Sequence, residues 1–309
     1  MITTVTLNPM LDKTVRIDTF VRGAIHRATA MECIAGGKGV NVARQLKFLG
    51  VQSVATGFMG GEVGSKVLDL LRQEGIEADF VQADVPTREG VTYLEADGTS
   101  TAVFEPARQV PIERVHELGK KFHTLFPKSS WIVCSGSSPG SEADDLYYEA
   151  VLAAHKYGVM SVLDSYGEPF RLALRAVPSL VKPNKEEFEQ TFGGSLQSDD
   201  DFVKALNHLL GMGIQYAIVT DGAQPCYAAI RGHYWKMTPP AVRTVNPIGS
   251  GDAMVAGIVY GFNQGWKFQR CVSFGIAAGA ANAQKWGVAN SGIQEILDLE
   301  HQIRAQRLH

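Results

Sequence analysis

No stretch of this chain is dense in lysine and arginine, and 29 basic residues against 32 acidic ones leave a formal net charge of −3. A general nucleic-acid or membrane-surface role needs a basic face, so neither partner is expected. No apolar run reaches the roughly 20 residues that span a bilayer. The opening MITTVTLNPM has neither the basic flank nor the long apolar core of a secretory signal. Cysteine is scarce: Cys33, Cys134, Cys226 and Cys271 stand far apart without CxxC spacing. That excludes a disulfide framework and a zinc site and fits free thiols in a reducing cytoplasm. The eight histidines form no HxH or HExxH pattern, so no transition-metal site is expected. No Pro/Ser linker, repeat or low-complexity tract divides the chain.

What is present is a chain of 309 residues, 45% hydrophobic, enough to bury one large core. Short β-branched runs at Ser130–Cys134, Met160–Asp164, Leu180–Lys182 and Tyr216–Thr220 alternate with helical patterns near 40–50, 63–74, 142–157, 185–192 and 199–211. Such alternation implies βαβ units and a parallel sheet covered on both faces. Ile2–Leu7 reads as a strand stopped by Asn8-Pro9. Val15–Val21 and Gly90–Phe104 differ from the rest, alternating apolar and polar residues as half-exposed antiparallel strands do. The expectation is one α/β domain over 1–309 with a small β lid inserted in two pieces, about 10–33 and 86–107.

The most informative stretch is Asn246-Pro247-Ile248-Gly249-Ser250-Gly251-Asp252, followed by a run of Ala, Val, Ile and Gly without a break before Asn263. It reads as a buried helix whose first turn is Gly-Ser-Gly-Asp. A helix start offers unpaired N–H groups and partial positive charge, and glycines let an anion approach the backbone. An ionised Asp beside a bound anion is costly unless it acts on a neutral group such as a hydroxyl. The chemistry suggested is phosphoryl transfer, with backbone amides holding the developing charge and Asp252 taking the proton of the attacking alcohol. The plain alternative is a capped buried helix with an acid in its favourable first turn.

Other candidates follow strands. Gly36-Gly37-Lys38-Gly39 precedes a helix but is neither a Walker A loop nor a Rossmann fingerprint. Ser135-Gly136-Ser137 makes a tight loop after a strand, at the edge where open α/β sheets bind ligands. Asn184 and Glu187 form a capping-box pattern or, alternatively, order water around Mg²⁺. Thr220-Asp221-Gly222 follows an apolar strand and faces nucleotide phosphates or is a bare turn. Arg88 opens the second lid piece.

Taken in order, LNPxxD at 7–12, GGKGVNVA at 36–43, TRE at 87–89, SGS at 135–137, KPNKEE at 182–187, TDGA at 220–223 and NPIGSGD at 246–252 resemble the ribokinase-like PfkB family of carbohydrate kinases over essentially the whole chain. The resemblance is greatest to its hexose-phosphate kinases. It implies a ribokinase-like three-layer α/β/α fold with a mostly parallel sheet and a small inserted β-sheet lid. It also implies ATP- and Mg²⁺-dependent phosphorylation of a phosphorylated ketohexose, tagatose 6-phosphate or fructose 1-phosphate. A 6-phosphofructokinase or another sugar kinase is the alternative within the family, and a catalytically silent sensor the alternative outside enzymes.

By the same resemblance Asp252 is the base and Gly249, Ser250 and Gly251 the anion hole. Asp12, Gly37 and Asn41 hold sugar hydroxyls, while Lys38 and Arg88 reach the substrate's phosphate or the transferring one. Lys182, Asn184 and Glu187 serve nucleotide phosphates and Mg²⁺, the last two through water; Thr220, Gly222 and Asn282 serve the nucleotide. Pro225, Asp221 and Ser138 depart from the family pattern near the nucleotide and in the SGS loop. The implied assembly is a cytoplasmic homodimer joined through the β lid, whose uncovered apolar face needs a partner.

Overall fold

The computed structural model describes residues 1–308. Its large sheet is ordered Arg304–Leu308, His233–Thr238, Cys226–Ile230, Tyr216–Val219, Leu180–Val181, Met160–Asp164, Trp131–Ser135, Ile2–Thr6, Ser53–Met59 and Glu77–Ala78, with Val81–Gln82 also paired to Ser53–Met59. From Tyr216–Val219 onward along that order every pairing is parallel, whereas the first three strands run antiparallel.

Neighbouring residues in these strands serve opposite faces. Ile132, Leu163, Val181 and Ala217 pack with helices Ile112–Leu125, Leu146–Tyr157 and Asp199–Gly211. Val133, Val162, Leu180 and Ile218 pack with Lys38–Phe48, Ser250–Asn263 and Phe268–Ala283. Both faces are covered, which is why the strands read as unbroken apolar runs. The architecture is a three-layer α/β/α sandwich with a small second sheet beside it. Helices Ser250–Asn263 and Phe268–Ala283 approach so closely that a Cβ on Gly257 would lie 2.9 Å from Gly275 Cα, so their glycine content is a packing requirement.

The expected helices lie within a few residues of their observed bounds. Helix 199–211 is fixed at its start by a capping box between Ser198 and Asp201. Four helices, Ile112–Leu125, Gly167–Leu174, Phe268–Ala283 and Ile293–Glu300, and the antiparallel edge strands were not evident from the sequence.

The small sheet has the order Ala30–Gly36, Met10–Arg16, Arg88–Leu94, Ser100–Phe104. Two expectations need correcting. Its central pair, Met10–Arg16 with Arg88–Leu94, is parallel rather than antiparallel, because both strands enter from the same side of the large sheet. The strand in the first piece is Met10–Arg16 rather than 15–21, and Asn8-Pro9 is a short connection between two strands. The chain then returns along Ala30–Gly36, beyond the expected limit at 33.

Candidate active site

The parallel strands end on one edge of the large sheet, and the chain beyond those ends carries almost every candidate residue. Ile2–Thr6 runs into Asn8-Pro9, Trp131–Ser135 into Gly136-Ser137, and Met160–Asp164 ends in an acid. Leu180–Val181 leads to Lys182, and Tyr216–Val219 to Thr220. Glycines are required where the Gly-Gly-Lys-Gly turn crosses this edge. A Cβ on Gly37, whose φ is +118°, would lie 2.7 Å from Thr6 Cγ2, and one on Gly39 would lie 2.4 Å from Thr6 Oγ1.

Asp252 sits in the first turn of helix Ser250–Asn263 and is 6% exposed. The approach to it is held by Asn246, whose Oδ1 accepts from Ile248 N at 3.0 Å and whose Nδ2 donates to the Trp286 carbonyl at 2.8 Å. Gly249 is left-handed, φ +75°. The Ser250 N–H turns back onto the Pro247 carbonyl at 3.2 Å, while the amides of Gly249, Gly251 and Asp252 have no backbone acceptor. The open donors of this turn are therefore Gly251 and Asp252 together with Gly249, rather than Ser250. Burial, and then the negative charge of Asp164, push the Asp252 carboxyl up to about 6, against Lys38, Asn41 and Lys182, which pull it down. Asn41 Nδ2 donates to Asp252 Oδ2 at 2.8 Å.

Around Asp252 lies a cluster of charges. Lys38 Nζ is 2.8 Å from Glu187 Oε1 and 3.6 Å from Asp164 Oδ1. Burial would lower the Lys38 ammonium, but Asp164, Glu187 and Asp252 outweigh it and hold it charged. Lys182 Nζ stands 3.2 Å from Asp164 Oδ1 and would be 3.7 Å from a Cβ on Gly251, so it underlies the Gly249–Asp252 turn. Burial alone would raise Asp164, yet Lys182 and Lys38 hold it below its ordinary value. Neither Asp164 oxygen is in hydrogen-bond geometry, and the residue is 1% exposed.

Beside the small sheet, Asp12 is 3% exposed, and its Oδ1 has no partner. Burial raises it to about 6, opposed by Arg44 and Arg88. Arg88 Nη2 donates to the Asn8 carbonyl at 3.3 Å, and its guanidinium lies 5.7 Å from the Phe104 ring centre. Burial lowers the Arg88 guanidinium, with Tyr166 and Asp12 acting in the opposite sense. Arg88 and Arg108 line a shallow pocket with Asn8, Thr87 and Pro139. Asn8 Nδ2 ties this pocket to the SGS loop, donating to Ser137 Oγ and to the Ser138 carbonyl, each at 3.3 Å.

The remaining candidates divide. Asn184 and Glu187 do form the capping box, Glu187 N donating to Asn184 Oδ1 at 2.8 Å and Asn184 N to Glu187 Oε2 at 2.9 Å. Glu187 thus keeps one oxygen, Oε1, for the ligand side, where Lys38 meets it. Thr220 bridges to Asn184 at the neighbouring strand end, and Gly222 lies on an exposed turn. Asn282 is fully buried, with every polar group committed. Its Nδ2 donates to the Ile248 carbonyl at 2.7 Å and to Ser250 Oγ at 3.0 Å, and its Oδ1 accepts from Ala289 N at 2.6 Å. It shapes the anion-binding turn from behind.

The departing residues are locally satisfied. Ser138 hydrogen-bonds Asp144, and the Asp221 carbonyl accepts from Gln224 N at 2.8 Å, closing the turn before Pro225. Sequence reasoning missed Asp164, Asn8, Arg44, Arg108 and Tyr166. Asp164 was within reach, since it is an acid closing a strand at the edge where open α/β sheets bind ligands.

The arrangement places a buried carboxylate beside open amides, flanked by two lysines on one side and an arginine-lined pocket on the other. Such a site can hold an anion, deprotonate a hydroxyl and grip a second anion. The sequence profile of the pfkB family of carbohydrate kinases matches residues 5–295. The 1-phosphofructokinase of Borreliella burgdorferi is 31% identical over 310 residues, covering 100% of this chain and 99% of the relative. The tagatose-6-phosphate kinase of Staphylococcus epidermidis is 31% identical over 264 residues, 84% of this chain and 85% of that one. Among solved structures, the "possible 1-phosphofructokinase" of Thermotoga maritima superposes with a TM-score of 0.92 at 28% identity, over 100% of this chain and 99% of the other. Phosphofructokinase-2 of Escherichia coli gives 0.89 at 26%, over 97% and 98%. The ribokinase of Arabidopsis thaliana, at 20% identity and 0.74 over 97% and 98%, shares the fold.

Proposed function

The chain belongs to the pfkB family of carbohydrate kinases and is a sugar-phosphate kinase of the phosphofructokinase type, and we propose that it carries a phosphoryl group from ATP to a phosphorylated ketohexose, tagatose 6-phosphate or fructose 1-phosphate. Asp252 takes the proton of the acceptor hydroxyl. The amides of Gly249, Gly251 and Asp252, with Lys182 beneath them, hold the charge of the moving phosphoryl group. Lys38 sits on the same side, among Asp164 and Glu187, and meets the transferring phosphate rather than the one already on the sugar. Asp12, Gly37 and Asn41 orient the sugar, and Arg88 with Arg108 grips its phosphate.

The observation that carries this reading is Asp252 itself. It is a carboxyl buried and raised to about 6, and so poised near neutral pH, where a general base is most effective. Its place in a turn with unpaired amides would be costly for a protein that merely bound phosphate.

Thr220 and Gly222 border the nucleotide, and Asn184 holds the strand end that supports them. Mg²⁺ fits this donor set. Asp164 offers two buried oxygens without hydrogen bonds, faced only by Lys38 and Lys182, and Glu187 offers Oε1, which Lys38 Nζ would have to yield to the ion's water. Among the described residues no group of three or more His, Cys, Asp or Glu is placed to hold a metal, so water and nucleotide phosphates would complete the shell. When bound, the ion neutralises phosphate charge.

The small sheet acts as a lid over the sugar, within one domain spanning the chain. Phe20, Val21, Ile25, Met31, Val103 and Phe104, all on this sheet or its connections, are exposed, and Ile25 is 92% so. An apolar face of this kind supports a homodimer formed lid to lid. No helix among the described residues is long and apolar enough to cross a membrane.

The test is ADP release measured with fructose 1-phosphate, tagatose 6-phosphate, fructose 6-phosphate, ribose and adenosine in parallel. The expected outcome is turnover of one of the first two above all others. Preference for fructose 6-phosphate would move the enzyme within its family, and preference for ribose or adenosine would overturn the phosphosugar assignment.

A further inference from the structure

Arg44 lies on the helix that carries Asn41, three residues further on and therefore on the same face. It is 5% exposed. Its Nη1 donates to Asn41 Oδ1 at 2.7 Å, its Nη2 donates to the Ala35 carbonyl and, at 3.1 Å, to Glu74 Oε1, and its Nε donates to Glu74 Oε2. Asn41 Nδ2 in turn donates to Asp252 Oδ2. A continuous chain of hydrogen bonds thus joins Glu74, which caps the C-terminal end of the neighbouring helix Gly61–Gln73, to the carboxylate at the centre of the site.

We propose that Arg44 is a positioning residue for phosphoryl transfer: anchored on Glu74 and the Ala35 carbonyl, its guanidinium locks the Asn41 carboxamide so that an N–H, and not the oxygen, faces Asp252. The polarity of the chain leaves no alternative. A guanidinium only donates, so the group of Asn41 that meets it must be the carbonyl oxygen. The group left for Asp252 must then be the NH₂, which also only donates, and Asp252 Oδ2 must accept. Asp252 Oδ2 is thereby held as an acceptor, and no proton is kept on the carboxyl by a facing amide oxygen.

Without Arg44 the carboxamide can rotate and turn Oδ1 toward Asp252. Two oxygens can face each other only with a proton between them, and the proton would sit on the base. The charge of Arg44 also pulls the Asp12 carboxyl down, so its loss shows in the KM for the sugar as well, whereas the effect on kcat runs through Asn41. Glu74 is the outer anchor. Its carboxylate is partly exposed, and it fixes a guanidinium whose other side is spent on the backbone and on Asn41.

The proposal rests on Asp252 being the base, and the test separates the two. Wild type, Arg44→Met, Asn41→Ala, the double variant and Asp252→Asn are assayed at saturating ATP with the ketohexose phosphate that turns over, and each is checked for folding by thermal melting. Arg44→Met should lower kcat by about 10–100-fold, the order expected for a misplaced catalytic group, with the KM for ATP within about twofold. In the Asn41→Ala background the same substitution should change kcat by less than about twofold, because its only route to the base has been removed. Arg44→Lys keeps the charge but cannot reproduce the fork. It should show the same loss and stands in if Arg44→Met does not fold. Equal losses in both backgrounds, or wild-type kcat in Arg44→Met, would overturn the proposal. If Asp252→Asn kept wild-type kcat, the base assignment would fall, and with it the role given to Arg44; an inactive Asp252→Asn beside an active Arg44→Met sinks the Arg44 proposal alone.

Discussion

Gly249 packs so tightly on Val288 that a Cβ built on it would lie 2.4 Å from Val288 Cγ1, with φ at +75°. The clash is with a stiff β-branched side chain, and the backbone is one that L residues adopt at a cost of roughly 1–3 kcal/mol. Gly249→Ala must therefore move the turn whose amides are proposed to hold the phosphoryl group. We expect a melting temperature several degrees lower, at roughly 2–4 °C per kcal/mol for a chain of this class, together with a fall in kcat. Differential scanning calorimetry and steady-state assays check both, and an unchanged kcat would show that the turn is not the anion hole.

Asp252 and Asp12 are both raised by burial to about 6 from ordinary values of 3.8. In the roles proposed for them, Asp252 as base and Asp12 as acceptor of a sugar hydroxyl, each acts only when ionised. kcat/KM should therefore fall on the acid side of about pH 6 and level off above it. The sign for stability is the opposite. A carboxyl whose folded pKa is raised binds its proton more tightly when folded, so stability is lost as pH rises from 3.8 through about 6. Asp252→Asn should consequently melt higher than wild type at pH 8 by the equivalent of about 2–3 kcal/mol, one unit being 1.36 kcal/mol, and nearly equal to it at pH 4. A variant less stable than wild type at pH 8 would contradict the buried-charge argument.

Arg88 is a half-buried guanidinium on the wall of the sugar-side pocket, with its Nε unpartnered. Arg can hold a phosphate through two parallel bonds and Lys cannot. Arg88→Lys should raise the KM for the ketohexose phosphate at least ~10-fold, the factor that corresponds to ~1.4 kcal/mol, with a smaller effect on the KM for ATP. Equal effects on the two substrates would remove Arg88 from the sugar-phosphate subsite.

Ile25 is 92% exposed at the tip of the small sheet's first connection, and Met31 is 65% exposed on the adjoining strand. If this face joins two copies, wild type should scatter light as a dimer at micromolar concentration and the Ile25→Asp, Met31→Asp variant as a monomer of unchanged melting behaviour. A wild-type monomer at that concentration would rule out the lid-to-lid dimer.

Much of this was legible in the chain. The helix beginning at Ser250 and running to Asn263 is visible because a Gly-Ser-Gly-Asp turn opens an unbroken run of small apolar residues. The capping box at Asn184 and Glu187 is visible because it is a local pattern of three residues' spacing. The parallel sheet is visible because strands buried on both faces cannot alternate. The small sheet was read less well. Ala30–Gly36 is exposed at one end and buried at the other, so neither period shows, and no local signal tells a parallel lid pair from an antiparallel one.

The site divides along the same line. The sequence by itself determined the residue types at the strand ends, the glycine turn before helix Lys38–Phe48, and the acid in the first turn of a buried helix, because each is a pattern within a few residues. Only the tertiary structure decided that Lys38 meets Glu187 and Asp164 across 149 and 126 residues of chain, that Ser250 spends its amide on Pro247, that Asn282 is committed behind the turn, and that Arg44 reaches the base through Asn41. Coulomb attraction and hydrogen-bond saturation act between whichever groups the fold brings together. Distance along the chain carries no information about them.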